Sequence, residues 1–123
     1  VRNIVRAMEQ SPARRLIYLS FLAVRERRAR SGFLIRNVVS RIVHNEIADH
    51  EEKEDAIASS RLEWTIVRPG KLTHGPRTGN YRFGEDVEPA SLLPTISRAD
   101  VADFMLRLLK ETAFVRKAPG IMY

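Results

Sequence analysis

The spacing of apolar residues changes repeatedly along this chain, and each change predicts an element. Val1, Ile4, Val5 and Met8 recur at helical spacing, so a helix is expected from Val1 to Glu9, broken by Ser11-Pro12. Leu16 to Leu19 form a short apolar run after two arginines and read as a buried strand. A charged loop over residues 22–32 closes on Ser31-Gly32. Phe33 to Val43 is helical again, with Phe33, Leu34, Val38 and Ile42 or Val43 available for one face. A second helical piece runs from about Ile47 to Ser59 and carries an acidic face.

The run from Glu63 to Leu72 holds the most information. Trp64, Ile66 and Val67 have the composition of a buried strand, and Pro69-Gly70 is expected to end it abruptly. After Pro69 the chain is turn-rich to Gly84, with Tyr81 to Phe83 as a short extended piece, and residues 84–96 read as irregular loop. Ser97-Arg98-Ala99-Asp100 has the form of a capping box with Asp in place of Glu. Val101, Phe104, Met105, Leu108 and Leu109 then make the clearest amphipathic stripe of the chain. Gly120 to Tyr123 is expected to form a terminal strand. There is no internal repeat and no low-complexity tract.

Helices alternating with strands predict an α/β fold, a parallel sheet covered by helices. In such sheets ligands bind outside the carboxyl ends of the strands, which is where a strand stopping at Pro69-Gly70 delivers its next residues.

Composition narrows the class. At 123 residues the chain is one domain at most, and its 44% hydrophobic and 29% charged residues are those of a globular protein. No stretch approaches the roughly 20 apolar residues of a membrane span, and no signal peptide opens the chain, so a cytoplasmic location is expected. Zero cysteines exclude a disulfide framework, a thiolate nucleophile and cysteine-ligated metal. His44 and His74 lack partners at metal-binding spacing, and no metal is expected.

The net charge of +6 is unevenly spread: residues 1–41 hold ten Arg and two Glu, while residues 42–64 hold seven acids against Lys53 and Arg61. Arg25, Arg27, Arg28 and Arg30 form the densest cluster. No aromatic interleaving or recognition-helix pattern accompanies it, so a solvated loop is preferred and no nucleic-acid partner is expected. The chain has no G-x-G-x-x-G or P-loop motif, and Val1 already lies within an amphipathic helix without a cap. Truncation at the amino end is the expectation drawn from this.

The run "DHEEKEDAIASSRLEWTIVRPGKLTHGPRTGNYRF", followed by "ISRADVADFMLRLL", resembles the carboxyl-terminal half of the atypical short-chain dehydrogenase/reductases. The resemblance is greatest to their NAD(P)H-binding group related to NmrA and to biliverdin-IX-beta (flavin) reductase. Upstream, "RRLIYLSFLAV" is similar to that family's fourth strand, and Glu63–Leu72 to its sixth. The resemblance implies a partial Rossmann-type parallel sheet with flanking helices, lacking the amino-terminal βαβ half that carries the phosphate loop. It implies NADP or NAD as cofactor.

By that resemblance, Ser20 corresponds to a strand-end Ser facing the nicotinamide, with Leu19 and Phe21 beside it. His50 occupies the place of the Lys in the family's Tyr-x-x-x-Lys pair, while Glu46 stands where the Tyr would be. Ser20 and His50 are therefore the candidate catalytic residues. Glu51, Glu52, Glu54 and Asp55 are expected to be solvated and to raise the pKa of His50. Pro69, Gly70, Lys71 and Leu72 are expected to pass the nicotinamide, Gly70 allowing close backbone approach. Arg68 is open between a ligand contact and an ion pair with an acid such as Asp100. Arg77, Thr78, Gly79 and Tyr81 read as a surface turn in preference to a substrate wall, and Arg98 and Asp100 as a brace for the last helix.

Three functions remain open from sequence. One is an NAD(P)-dependent oxidoreductase scaffold, whose intact relative passes hydride to a flavin, quinone or conjugated carbonyl. Another is a non-catalytic NAD(P)-sensing or interaction module of the NmrA type. The third is a remnant with weak or no cofactor binding by itself, self-associating through an exposed sheet edge. A small-molecule substrate is the expected partner, with no membrane partner.

Overall fold

The computed structural model describes residues 1–23 and 41–123, with side chains of the second stretch from residue 45 onward. The arginine cluster at 25–30, the Ser31-Gly32 turn, the helix expected from Phe33 and the side chain of His44 lie outside the described residues. Helix α1 spans Arg2–Glu9 and strand β1 Arg15–Leu19; α2 spans Arg41–Ala58 and β2 Glu63–Pro69. Short strands β3 (Lys71–Thr73), β4 (Arg82–Gly84) and β5 (Thr95–Ser97) follow, then α3 (Arg98–Leu108) and β6 (Gly120–Met122).

The main sheet has the order β1-β2-β6-β4. β1 and β2 pair in parallel from Arg15↔Glu63 to Leu19↔Val67, and β2 pairs in parallel with β6 through Arg68↔Gly120 and Pro69↔Ile121. β4 runs antiparallel to β6, so the sheet expected to be parallel is mixed at that edge. Alternation of side chains assigns the two faces. Leu16 and Tyr18 of β1 and Trp64 and Ile66 of β2 join Val5, Ile57 and Leu62 under α1 and α2. Ile17, Leu19 and Val67 join Val101, Phe104, Leu108 and Ile121 under α3. β2 is thus covered on both sides, as its apolar run requires.

Several expectations change. α2 begins at Arg41, six residues before the start expected for the second helical piece, and no Gly or Pro between Arg41 and Ala58 breaks it. β1 is half-buried rather than buried, since among the described residues it ends the sheet. β2 ends at Pro69, as expected, but the chain does not turn into loop there. The amides of Arg68 and Gly70 bond to β6, so the missing Pro69 N–H faces the side on which β1 has already finished. Beyond Gly70 the chain resumes at once as β3, which pairs in parallel with β5 inside the segment expected to be loop. Leu109 is 59% exposed, because α3 ends at Leu108.

The start of α3 forms as its sequence predicts. Ser97 is the N-cap, its hydroxyl accepting from the Asp100 amide at 3.0 Å. The reciprocal arm runs through a third residue: the Ser97 amide donates to the Tyr123 hydroxyl, which donates to the Asp100 carboxylate at 2.6 Å. At the other end Arg15 donates twice to the Leu108 carbonyl, at 2.9 and 3.2 Å, satisfying an acceptor that the helix leaves open.

Candidate functional site

Ile47, His50, Glu54 and Ile57 recur at helical spacing on α2, and this row faces the sheet: Ile47, Glu54 and Ile57 are buried and His50 half-buried. Opposite lie Tyr18 and Ser20 from β1 and Arg68 from β2, which alternation places on the same face of the sheet. The polar groups meet where both strands reach their carboxyl ends.

Glu54 is the hub. Arg68 donates to it through Nε at 3.1 Å and Nη2 at 2.6 Å, and the Ser20 hydroxyl donates to Oε1 at 2.5 Å. Glu54 is 1% exposed, so the expectation that it is solvated is overturned: a carboxylate on the sheet-facing row needs paired donors, and the strand ends supply them. The partner of Arg68 is therefore Glu54 and not Asp100.

His50 sits next along the row. Its Nδ1 lies 2.7 Å from the Tyr18 hydroxyl, and Phe21 meets the ring edge-on with centroids 4.6 Å apart. Burial, helped by the Lys53 ammonium, pushes the His50 pKa down; Asp49, Glu54 and Glu46 oppose this without prevailing. The rise expected from neighbouring acids is corrected accordingly: Asp49 is paired to Lys53, and Glu54 to Arg68. Burial likewise raises the Tyr18 pKa, so both groups are neutral at pH 7.

A cleft of about 670 Å³ opens at this same edge. Phe21, Leu22 and Ala23 follow β1 into it, and Pro69, Gly70, Lys71 and Leu72 come from the β2–β3 junction. Glu46 and Ile47 enter from α2, Leu92, Leu93 and Pro94 from the segment before β5, and Arg98 from the start of α3. Leu92 and Leu93 are 102% and 74% exposed, so the mouth is apolar with two cations, Lys71 and Arg98, at its edge.

Five of the eight residues expected from sequence line this cleft: Phe21 and Pro69 to Leu72. Ser20 and His50 are not among its lining residues and bond instead to Glu54 and Tyr18, and Leu19 packs into the α3-side core. Gly70 has a structural reason to be glycine: a Cβ there would meet the Pro94 carbonyl oxygen at 2.5 Å. The close approach is thus to Pro94. Tyr18 and Glu54 were not expected in the site, and Arg68 was left open. Their signal was present, Tyr18 two residues from Ser20 and Glu54 four from His50, each on the face of its neighbour.

The segment read as a surface turn is tied to α3. Thr78 and Gly79 donate to Asp100, while Arg77 and Tyr81 bind Asp103. Burial would raise the Asp100 pKa, but the hydrogen bonds from Thr78, Tyr123 and Gly79 hold it far below the usual carboxylate range. Among the described residues no cluster of three or more His, Asp or Glu could hold a metal ion, and no helix is long and apolar enough to cross a membrane.

A family model described as NAD(P)H-binding matches residues 1–112. Among solved structures, an oxidoreductase of Lactococcus lactis is 19% identical with a TM-score of 0.77, covering 98% of this chain and 51% of its own. A short-chain dehydrogenase/reductase of Veillonella parvula in complex with NADP is 18% identical with a TM-score of 0.74, covering 99% and 56%. ChuY, an anaerobillin reductase of Escherichia coli O157:H7, is 21% identical with a TM-score of 0.69, covering 98% and 55%. The chain thus spans little more than half the length of these structures, and at such identities the likeness shows the fold. No curated protein matches.

Proposed function

From the premise that this chain belongs to the NAD(P)H-binding family, we propose that it forms the acceptor-side half of an NAD(P)-dependent reductase site. The observation that carries this reading is the position of the cleft, at the carboxyl ends of β1 and β2, where sheets of this class bind their ligands. Its walls fit the nicotinamide end of the cofactor: apolar Leu22, Ile47 and Leu72 exclude water, and Pro69–Leu72 form one side. This sequence has no glycine-rich loop to hold a pyrophosphate, so the 123-residue chain binds dinucleotide weakly or not at all by itself. Bound reduced nicotinamide would supply the hydride, and the cofactor is NADP or NAD.

The acceptor on this reading is a flavin, a quinone or another conjugated carbonyl, matched to the apolar mouth at Leu92 and Leu93. The residues of this chain orient it and keep water out, with Ser20 and His50 as the polar groups next to Phe21. A cytoplasmic location belongs to the same proposal. So does self-association through the outer edge of β1, which has no strand partner among the described residues.

One observation favours the second reading, a non-catalytic NAD(P) sensor. The single hydroxyl proton of Ser20 is committed to Glu54, so Ser20 has none to give a substrate carbonyl. Turnover decides between them. NADPH oxidation by the whole protein, with a glycine-rich dinucleotide-binding half present, with a flavin or quinone acceptor and slowed by Leu72→Trp in the cleft, is the result expected of a reductase. Saturable NADPH binding without turnover across those acceptors sinks that reading and leaves the sensor.

A further inference from the structure

Tyr18 and His50 form a hydrogen-bonded pair next to Phe21, which lines the cleft. The Tyr18 hydroxyl lies 2.7 Å from His50 Nδ1. His50 stands one helical turn beyond Glu46 and Ile47, which line the cleft, and the Phe21 ring that packs on its edge lines the cleft as well. We propose that Tyr18 is a positioning residue: it holds His50 in the tautomer with its proton on Nε2 and so fixes the ring against which the cleft-lining Phe21 packs.

A neutral imidazole has one N–H and one bare nitrogen, and the partner of one nitrogen decides which is which. Phenol is the stronger acid of the two groups. Among the described residues Nδ1 is the one acceptor that the Tyr18 hydroxyl reaches. The O–H therefore donates, Nδ1 is bare, and the proton resides on Nε2. The charged groups facing His50 do not compete for that arrangement. Asp49 is taken up by Lys53, and Glu54 by Arg68 and Ser20, which leaves Glu46 at the cleft as the nearby carboxylate without a described partner. Burial keeps the ring neutral, as a fixed tautomer requires.

The test is long-range ¹H–¹⁵N correlation of the His50 ring in the ¹⁵N-labelled protein, at a pH above the histidine range. The expected result is a bare Nδ1 and a protonated Nε2 in the unmodified protein, with both nitrogen shifts moving toward the mean of the two tautomers in Tyr18→Phe. A proton on Nδ1 in the unmodified protein, a measurement that needs no variant, overturns the inference. So do ring shifts unchanged by Tyr18→Phe.

Discussion

Arg68 closes on Glu54 through two parallel hydrogen bonds, of 2.6 and 3.1 Å, beneath a site in which Glu54 is 1% exposed. The pair joins α2 to the central strand at the level where β1 and β2 end. A guanidinium and a carboxylate this deeply placed have exchanged water for each other, so neither can lose its partner cheaply.

Removing one member is therefore far worse than the pair is good. Glu54→Leu is expected to destabilise the fold by about 3–5 kcal/mol, because Arg68 is left as an uncompensated buried charge. The double variant Glu54→Leu/Arg68→Met is expected to be more stable than Glu54→Leu alone. Urea unfolding followed by circular dichroism measures both, and an additive double variant would refute the account.

Gly70→Ala tests the junction of β2 and β3. The new methyl group would lie 2.5 Å from the Pro94 carbonyl oxygen, a backbone atom that cannot swing aside. A loss of about 1–3 kcal/mol is expected, with the residues 92–94 moving away from the cleft. Unchanged melting together with unchanged amide shifts at Leu92 and Leu93 would show that the contact is not as tight as described.

Asp100 makes stability depend on acid. Its folded pKa lies below the unfolded value of about 3.9, so its stabilisation is complete above that pH and is lost as pH falls toward the folded value. Unfolding free energy is expected to drop steeply below about pH 4, and Asp100→Asn is expected to flatten that slope while lowering stability near neutrality. Parallel acid profiles for the two proteins would contradict this.

Arg15 has a capping role that its strand position conceals. Its two donations to the Leu108 carbonyl, at 2.9 and 3.2 Å, tie the last turn of α3 to the edge of the sheet. Arg15→Ala is expected to cost about 1–2 kcal/mol and to speed hydrogen exchange in the last turn of α3 before the rest of the helix. Uniform exchange along α3 would argue that the cap does not hold that turn.

The elements were legible because they answer to local rules. The helical spacing of Val101, Phe104 and Leu108, the Ser97 cap and the apolar run of β2 need only neighbours in the chain to be recognised. The resemblance carried by Trp64–Gly70 and the start of α3 then supplied the fold and the ligand edge, and Phe21 and Pro69–Leu72 do line the cleft there. What sequence reading missed depends on partners far along the chain. β3 needs β5 across a long separation, Gly70 needs Pro94, Asp100 needs Tyr123, and the acid on α2 that looked solvated needs Arg68 from β2. The sequence by itself determined the alternation of elements, the central buried strand and the sheet edge at which the cleft opens, since periodicity and turn chemistry act within a few residues. Only the tertiary structure decided which polar side chains meet at that edge. Hydrogen bonds and ion pairs form between whatever groups packing brings within about 3 Å, and no local pattern encodes that distance.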